Sequence, residues 1–183
     1  MALAKSRRGI LRVIEKAPKG VAAYFEHLPT LLESLPLDVS LSYVFSRVEL
    51  AHNMTLYCGV VKKHRTDAVL TRKVINTQHM TRGQFRDKFQ TVFGESIPND
   101  VAKPLADAEK VRDLVMHGKS ANDASKRQAI VAVIDYARAF NDLVSGLAGF
   151  RPFGDLRGFK GRSEPLDKAT TRWVLRGMGF DLS

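Results

Sequence analysis

The chain has little cysteine and no long apolar run, and each shortage excludes a class of protein. Cys58 is the only cysteine among 183 residues, which excludes an internal disulfide framework and any zinc site built from several thiolates. No apolar run reaches the length of about 18 residues that a membrane-spanning helix needs. The histidines are scattered without the spacing of metal ligands, so the sequence predicts neither a metal site nor a cofactor.

Positive charge, by contrast, is abundant. The formal net charge is +10, which favours a polyanionic partner, nucleic acid before an anionic membrane. The cations concentrate in residues 1–20 and 62–90 and in the glycine-rich stretch after residue 146. A solubilising surface is the other interpretation of these clusters. The residues from which we expect contacts to nucleic acid are Lys62, Lys63, Arg65, Lys119, Arg157, Lys160 and Arg162.

The apolar spacing predicts an all-α protein, because strand-like alternation is scarce and the apolar positions step by three and four. The expected helices cover 37–63, 67–79, 82–93, a segment from near Pro104 to His117, 122–147 and 165–176. We expect caps at Asp67 and Thr81, a stop at Gly94, and a cap at Ser120 or Asn122. The segment 37–63 is apolar on more than one side, which is typical of a central helix.

These elements predict three segments along the chain. Residues 1–36 form a basic N-terminal arm or helix, residues 37–147 form a bundle of about five core helices, and residues 148–183 form a basic, glycine-rich loop and a short C-terminal helix packed on the bundle. In that loop Phe150, Phe153 and Phe159 alternate with cations. We expect them to hold the tail on the bundle rather than to stack on bases, and we expect Trp173 to lie in the core.

The stretch from Val111 to Gly118 is the one that points most directly to chemistry. It places Arg112 five residues before His117 at the end of an amphipathic helix. An arginine holds a non-bridging phosphate oxygen and a histidine moves the proton of the attacking or leaving oxygen, as phosphodiester cleavage requires. A second pair at this spacing, Arg47 and His52, lies within the central helix. We interpret it as structural.

The motif Arg112-Asp113-Leu-Val-Met-His117 resembles that of the HEPN superfamily, the nucleotide-binding domains of higher eukaryotes and prokaryotes. Its nuclease members carry Arg-x(4–6)-His, commonly with Asn, Asp or His directly after the arginine, and Asp113 fits that form whereas Val48 does not. The order of elements over about residues 37–147 is also similar. The resemblance implies an all-α, HEPN-like helical bundle.

The resemblance also implies an activity. It implies a metal-independent endoribonuclease that works as a homodimer, in which His117 transfers a proton, Arg112 stabilises charge on the phosphate and Asp113 orients one of them. We expect this enzyme to act in the cytoplasm and without a cofactor. Many such domains are toxins or defence effectors, and some have an antitoxin as partner. Others have lost catalysis and only bind RNA. A helical regulatory subunit that contacts an acidic protein is the alternative from another class.

Overall fold

A computed structural model describes residues 4–156 and 164–182. All regular secondary structure in these residues is helical, so the all-α prediction is confirmed. The helices within the described part of the chain are α1 (Arg7–Glu15), α2 (Lys19–Tyr24), α3 (Leu28–Ser34), α4 (Leu37–His64), α5 (Ala68–Asn76), α6 (Arg82–Phe93), α7 (Asn99–Met116), α8 (Asp123–Ala148) and α9 (Lys168–Gly177).

The chain divides into two compact units, each of which is described by itself. The division falls inside α4 and α8, so different parts of one helix serve different units. The three segments 1–36, 37–147 and 148–183 stay a prediction about domains. Unit 1 comprises Met1–Leu50, Pro98–Leu143 and Phe153–Asp155, and unit 2 comprises Ala51–Ile97, Val144–Pro152 and Leu156–Ser183.

From Ser6 onward the N-terminal residues form short helices that belong to unit 1. Ser6 caps α1 by accepting the N–H of Gly9, which satisfies one of the unpaired donors at the helix start. Ile10 and Phe25 are fully buried. Arg7 Nη1 donates to the carbonyl oxygen of Leu32 at 2.7 Å, so part of the basic charge in this region serves the fold.

An aromatic cluster around Phe153 forms part of the core of unit 1. The Phe153 ring is fully buried and lies 5.3 Å from the Tyr24 ring. Asn141 clamps the same residue, because its side chain accepts the Phe153 N–H at 2.8 Å and donates to the Phe153 carbonyl at 2.9 Å. The prediction that phenylalanines hold this segment is therefore confirmed for Phe153, whereas Phe159 lies outside the described residues.

Helix α7 begins earlier than the sequence predicts. Pro98 is its N-cap and Pro104 lies inside it, so the expected start near Pro104 is wrong. Proline removes one N–H, which in this helix would have bonded to the carbonyl of Asp100. Asp100 is exposed, so water can satisfy that carbonyl and the helix tolerates the proline.

The end of α7 is set by a left-handed glycine. Gly118 has φ 67°, a conformation that suits glycine. Its N–H donates to the Val115 carbonyl at 3.1 Å, and the Lys119 N–H donates to the Leu114 carbonyl at 2.8 Å. This pair of bonds is the Schellman motif, and it leaves His117 as the C-cap residue. The predicted end of this helix is confirmed.

Unit 2 shows the caps that the sequence predicts. Asp67 accepts the Leu70 N–H at 2.8 Å, Thr81 and Gln84 form a capping box, and Gly94 ends α6 with φ 80°. Gly59 on α4 allows close packing in this unit, since a Cβ there would lie 2.5 Å from the Phe93 ring.

Trp173 on α9 is not in the core. It is 76% exposed, so the expectation that it is buried is wrong. The buried positions of α9 are Thr171 and Leu175. Trp173 lies two residues from each, which is about 200° around a helix, and its ring therefore faces away from the apolar side.

Candidate functional site

The side chain of Arg112 is held in place by residues of α4 and α7 within unit 1. Its Nη1 lies 3.1 Å from Asp113 Oδ1 and its Nη2 lies 3.4 Å from Glu49 Oε1. The guanidinium carbon lies 5.8 Å from the centre of the Phe45 ring. Phe45 and Glu49 are four residues apart, so they share one face of α4. That face of α4 contacts one side of Arg112, whose side chain remains 32% exposed.

His117 sits in a contrasting position. It is exposed, and no described residue forms a hydrogen bond or ion pair with its ring. As the C-cap of α7 it lies at the negative end of the helix dipole, where a cation is favoured. Five residues of helix separate it from Arg112, about 140° of rotation. The ring is therefore open to a ligand but diverges from the guanidinium.

Apolar side chains surround this end of α7. Met116 is 58% exposed and Leu114 is 40% exposed. Ser42 Oγ contacts Met116 Sδ at 3.9 Å, which places the first turns of α4 beside the motif. Val39, one turn before Ser42, is 40% exposed. Exposed apolar groups therefore flank the Arg112–His117 region.

The charge around Arg112 limits what the site can bind. One guanidinium faces two carboxylates, Glu49 and Asp113. A phosphate must therefore replace at least one carboxylate to gain the paired hydrogen bonds that arginine offers to such groups. Lys119 is exposed and lies two residues beyond His117, where it adds positive charge to this end of the helix.

A groove of about 470 Å³ runs beside the motif in unit 1. Val111, the residue before Arg112, lines it together with Ala129 and Ala132 of α8. Asp107 is also among its lining residues, and its carboxylate is paired with Lys110 at 2.8 Å. The groove is therefore largely apolar, with a paired charge at one side.

Arg47 of the second motif match has a structural role. Its Nε donates to the Tyr24 carbonyl at 3.1 Å, and the Tyr24 hydroxyl donates to the Arg47 carbonyl at 3.0 Å. The guanidinium carbon lies 4.0 Å from the centre of the Tyr24 ring. Burial raises the pKa of Tyr24 to about 12, although the nearby Arg47 charge opposes that shift. The hydroxyl therefore stays a donor.

His52 of the second match is buried in unit 2. Its ring stacks on Phe85 with centroids 3.8 Å apart, and Nδ1 lies 2.8 Å from Arg82 Nη1. Arginine only donates, so Nδ1 accepts and the ring is neutral. Burial, followed by the positive charges of Arg82 and Arg86, holds the pKa of His52 well below its usual value. The structural interpretation of the second pair is confirmed.

The basic residues around the end of α4 contact the backbone of unit 2. Lys63 Nζ donates to the Phe93 carbonyl at 2.9 Å, and Lys62 Nζ lies 3.4 Å from the Gly149 carbonyl. Arg65 donates from Nη2 and Nε to the Glu164 carbonyl at 2.8 and 3.2 Å. These cations therefore satisfy backbone carbonyl groups. Two of the carbonyls, those of Phe93 and Gly149, lie at the ends of helices. Their role in binding RNA stays a prediction, and three further predicted contacts, Arg157, Lys160 and Arg162, lie outside the described residues.

Sequence reasoning missed Ser42, Phe45 and Glu49 as parts of the site. Their spacing of three and four residues places them on one face of α4. This spacing is the only sequence feature that groups the three residues. Nothing in the sequence indicates that this face meets Arg112, sixty-odd residues later, rather than Arg47 or His52 nearby. The residues that support the motif therefore come from tertiary contact.

Neither a metal site nor a membrane span accompanies the motif in the described residues. Within the part of the chain that the structure describes, no group of histidine, cysteine, aspartate and glutamate side chains is placed to hold a metal ion. None of the described helices has the length and apolar character needed to cross a membrane. Family models, curated proteins and solved structures yield no match to the chain. The resemblance to HEPN domains therefore rests on the motif and on the order of helices.

Proposed function

We propose that this protein is a metal-independent endoribonuclease whose reacting groups are Arg112 and His117. The observation that carries the proposal is that both side chains reach the surface at one end of α7, with the imidazole unpaired among the described residues. The other pair at this spacing is committed to structural contacts. Only the pair on α7 is accessible to a phosphodiester.

In the proposed reaction the RNA 2′-hydroxyl oxygen attacks the adjacent phosphorus. The new P–O2′ bond forms as the P–O5′ bond breaks, so the products carry a 2′,3′-cyclic phosphate and a 5′-hydroxyl. His117 takes the proton of the attacking hydroxyl or returns one to the leaving oxygen. Arg112 hydrogen-bonds to a non-bridging oxygen and stabilises the charge that accumulates there. Asp113, which already contacts Arg112, orients it.

A homodimer completes this site in our proposal. The two side chains diverge by about 140° on their helix, so one copy brings them together poorly. A two-fold axis beside the end of α7 would place four groups around one cleft. The exposed Leu114 and Met116 supply apolar surface that such an interface would cover. A restrained toxin or defence effector in the cytoplasm, with an antitoxin as partner, is the setting that the resemblance favours.

The test is cleavage of a mixed RNA pool in the presence of EDTA, followed by chemical analysis of the new ends. Cyclic phosphate and 5′-hydroxyl ends that persist in chelator are the expected result. Cleavage that stops in EDTA, or ends with a 5′-phosphate, would contradict the mechanism. Sedimentation equilibrium of the same preparation should show about twice the chain mass of 20.4 kDa.

A second candidate is an RNA-binding protein without catalysis. The pairing of Arg112 with two carboxylates favours the absence of catalysis. A guanidinium whose charge is already balanced by carboxylates is a weaker ligand for the reacting phosphate. Saturable RNA binding without new ends would support this candidate over the nuclease. Absence of both binding and cleavage would leave the third possibility, a helical regulatory subunit that contacts an acidic protein.

A further inference from the structure

Helices α5 and α9 of unit 2 pack against each other, and their charge is entirely of one sign. Neither helix contains an aspartate or glutamate. The carboxylates at their N-caps, Asp67 and Asp167, accept N–H groups of their own helices, so they are used in capping. The cations of the two helices are Arg72, Lys73, Lys168, Arg172 and Arg176.

The cations of α9 form a stripe. Lys168, Arg172 and Arg176 follow one another at intervals of four residues, so they share one face at steps of about 6 Å along the axis. All three are exposed. Like charges at this spacing destabilise a helix. The helix dipole favours Arg176 in the last turn but disfavours Lys168 at the first position, so helix stability does not explain the whole stripe, whereas a polyanionic ligand does.

Trp173 borders this stripe, directly after Arg172 and three residues before Arg176. It is the only tryptophan in the chain, and 76% of it is exposed. Two of the residues that adjoin it on the helix surface are small: Ala169 lies four residues before it and Gly177 lies four after. A large aromatic face is therefore open to solvent beside three cations.

We propose that this face of α9, with Trp173 and the stripe of Lys168, Arg172 and Arg176, binds single-stranded nucleic acid. A base stacks on the indole and the flanking phosphates contact the cations. Every base has a flat π face, so such a platform tolerates any sequence. The platform lies in unit 2, and it does not depend on Arg112 or His117 of unit 1.

The surroundings of Trp173 favour this ligand over a membrane. An interfacial helix buries an apolar face in the bilayer. The apolar side of α9 already packs within unit 2 and is not free to enter a bilayer. Thr171 and Leu175 are buried, and the N–H of Asp67 donates to Thr171 Oγ1 at 3.0 Å. One exposed ring among cations suits a nucleotide chain better than a lipid surface.

The single tryptophan provides a direct test. We would titrate the 183-residue chain with a single-stranded oligothymidylate of about 12 nucleotides and follow the fluorescence of Trp173. This strand has no 2′-hydroxyl, so the reaction proposed for Arg112 and His117 does not consume it. We expect saturable quenching whose affinity falls about ten- to twentyfold between 50 and 200 mM salt, as three phosphate contacts on a single strand predict.

Matched variants separate stacking from charge, with binding of a labelled strand followed by fluorescence anisotropy. Trp173→Leu keeps an apolar side chain without a π face, and we expect about tenfold weaker binding or more. Trp173→Phe should keep part of the affinity. The double change of Arg172 and Arg176 to glutamine should reduce the salt dependence, whereas Lys110→Gln, a cation paired with Asp107, should not. Circular dichroism verifies that each variant is folded.

Four outcomes would overturn the proposal: no quenching by the single strand, quenching only by anionic vesicles, Trp173→Leu binding as tightly as the wild type, or equal affinity for a blunt duplex. The proposal is separable from the nuclease proposal. Binding is followed by the fluorescence of Trp173 with a strand that cannot be cleaved, so failure of RNA cleavage leaves the platform unaffected and failure to bind this strand leaves the nuclease proposal unaffected.

Discussion

The middle of α4 and the end of α7 carry the same sequence spacing in opposite environments. On α4 the arginine bonds to Tyr24 and the histidine is stacked on Phe85 with only 4% of its surface exposed. On α7 the arginine is anchored but reachable, and the histidine is a solvent-facing C-cap. The difference arises because α4 is a long helix with buried residues on several sides, whereas α7 ends at the surface.

This comparison teaches that the motif spacing alone carries no function. A buried neutral imidazole beside Arg82 serves packing, because burial and the arginine charges disfavour its protonated form. A histidine at the C-terminal end of a helix is accessible for proton transfer and lies at the negative pole of the helix dipole, which favours a cation. The predictions below test whether the two sites differ in function as they differ in environment.

The largest effect is expected at the end of α7. His117→Ala and Arg112→Ala should each lower the rate of RNA cleavage by about 10²–10⁴, since one removes the proton carrier and the other the charge stabilisation. Thermal unfolding should be nearly unchanged because His117 is exposed. His79→Ala removes another exposed histidine and serves as the control. Wild-type cleavage by His117→Ala would refute the assignment.

At the buried site the same kind of change should act on stability. His52→Ala leaves a cavity against Phe85 and removes the acceptor for Arg82. We expect the free energy of unfolding to fall by about 2–4 kcal/mol, measured by urea denaturation. The cleavage rate per folded molecule should stay at the wild-type value. A specific loss of cleavage with unchanged stability would mean that the two sites have been assigned the wrong way round.

The pH dependence of stability should follow His52. In the folded protein its pKa lies well below the usual 6.5, so only the unfolded chain takes up this proton as the pH falls below about 6.5. Folding stability should therefore decrease toward acid by up to about 1.4 kcal/mol per pH unit from this group. Urea denaturation of the wild type and of His52→Gln at pH 7 and pH 5.5 isolates the effect. Identical slopes would contradict the buried neutral state.

The smallest effect concerns the carboxylate that competes for Arg112. Glu49→Gln removes one of its two anionic partners while keeping the side chain's shape. Because exposed ion pairs are weak, we expect affinity for RNA to rise by only about two- to fivefold, measured by anisotropy with His117→Ala as background. Asp107→Asn, which breaks the pair with Lys110, is the control. Weaker binding by Glu49→Gln would show that Glu49 supports the phosphate site instead.

The helices from α4 onward were predictable because their signals are local. Thr81, Gly94 and Gly118 act through their own backbone neighbours, by capping or by a left-handed φ. Apolar periodicity over α4 and α8 likewise needs only the chain itself. Pro104 failed as a signal because its cost depends on whether the orphaned carbonyl of Asp100 meets water, which is a property of the surroundings.

By itself the sequence determined the all-α class, most ends of the helices from α4 onward and the position of the Arg112–His117 motif at the end of a helix. Only the tertiary structure decided that Glu49 pairs with Arg112, that His52 is buried and that Trp173 is exposed. The physical reason is range. Caps and periodicity act within a few residues, whereas burial and ion pairing depend on which helix faces which, and that is settled by long-range packing.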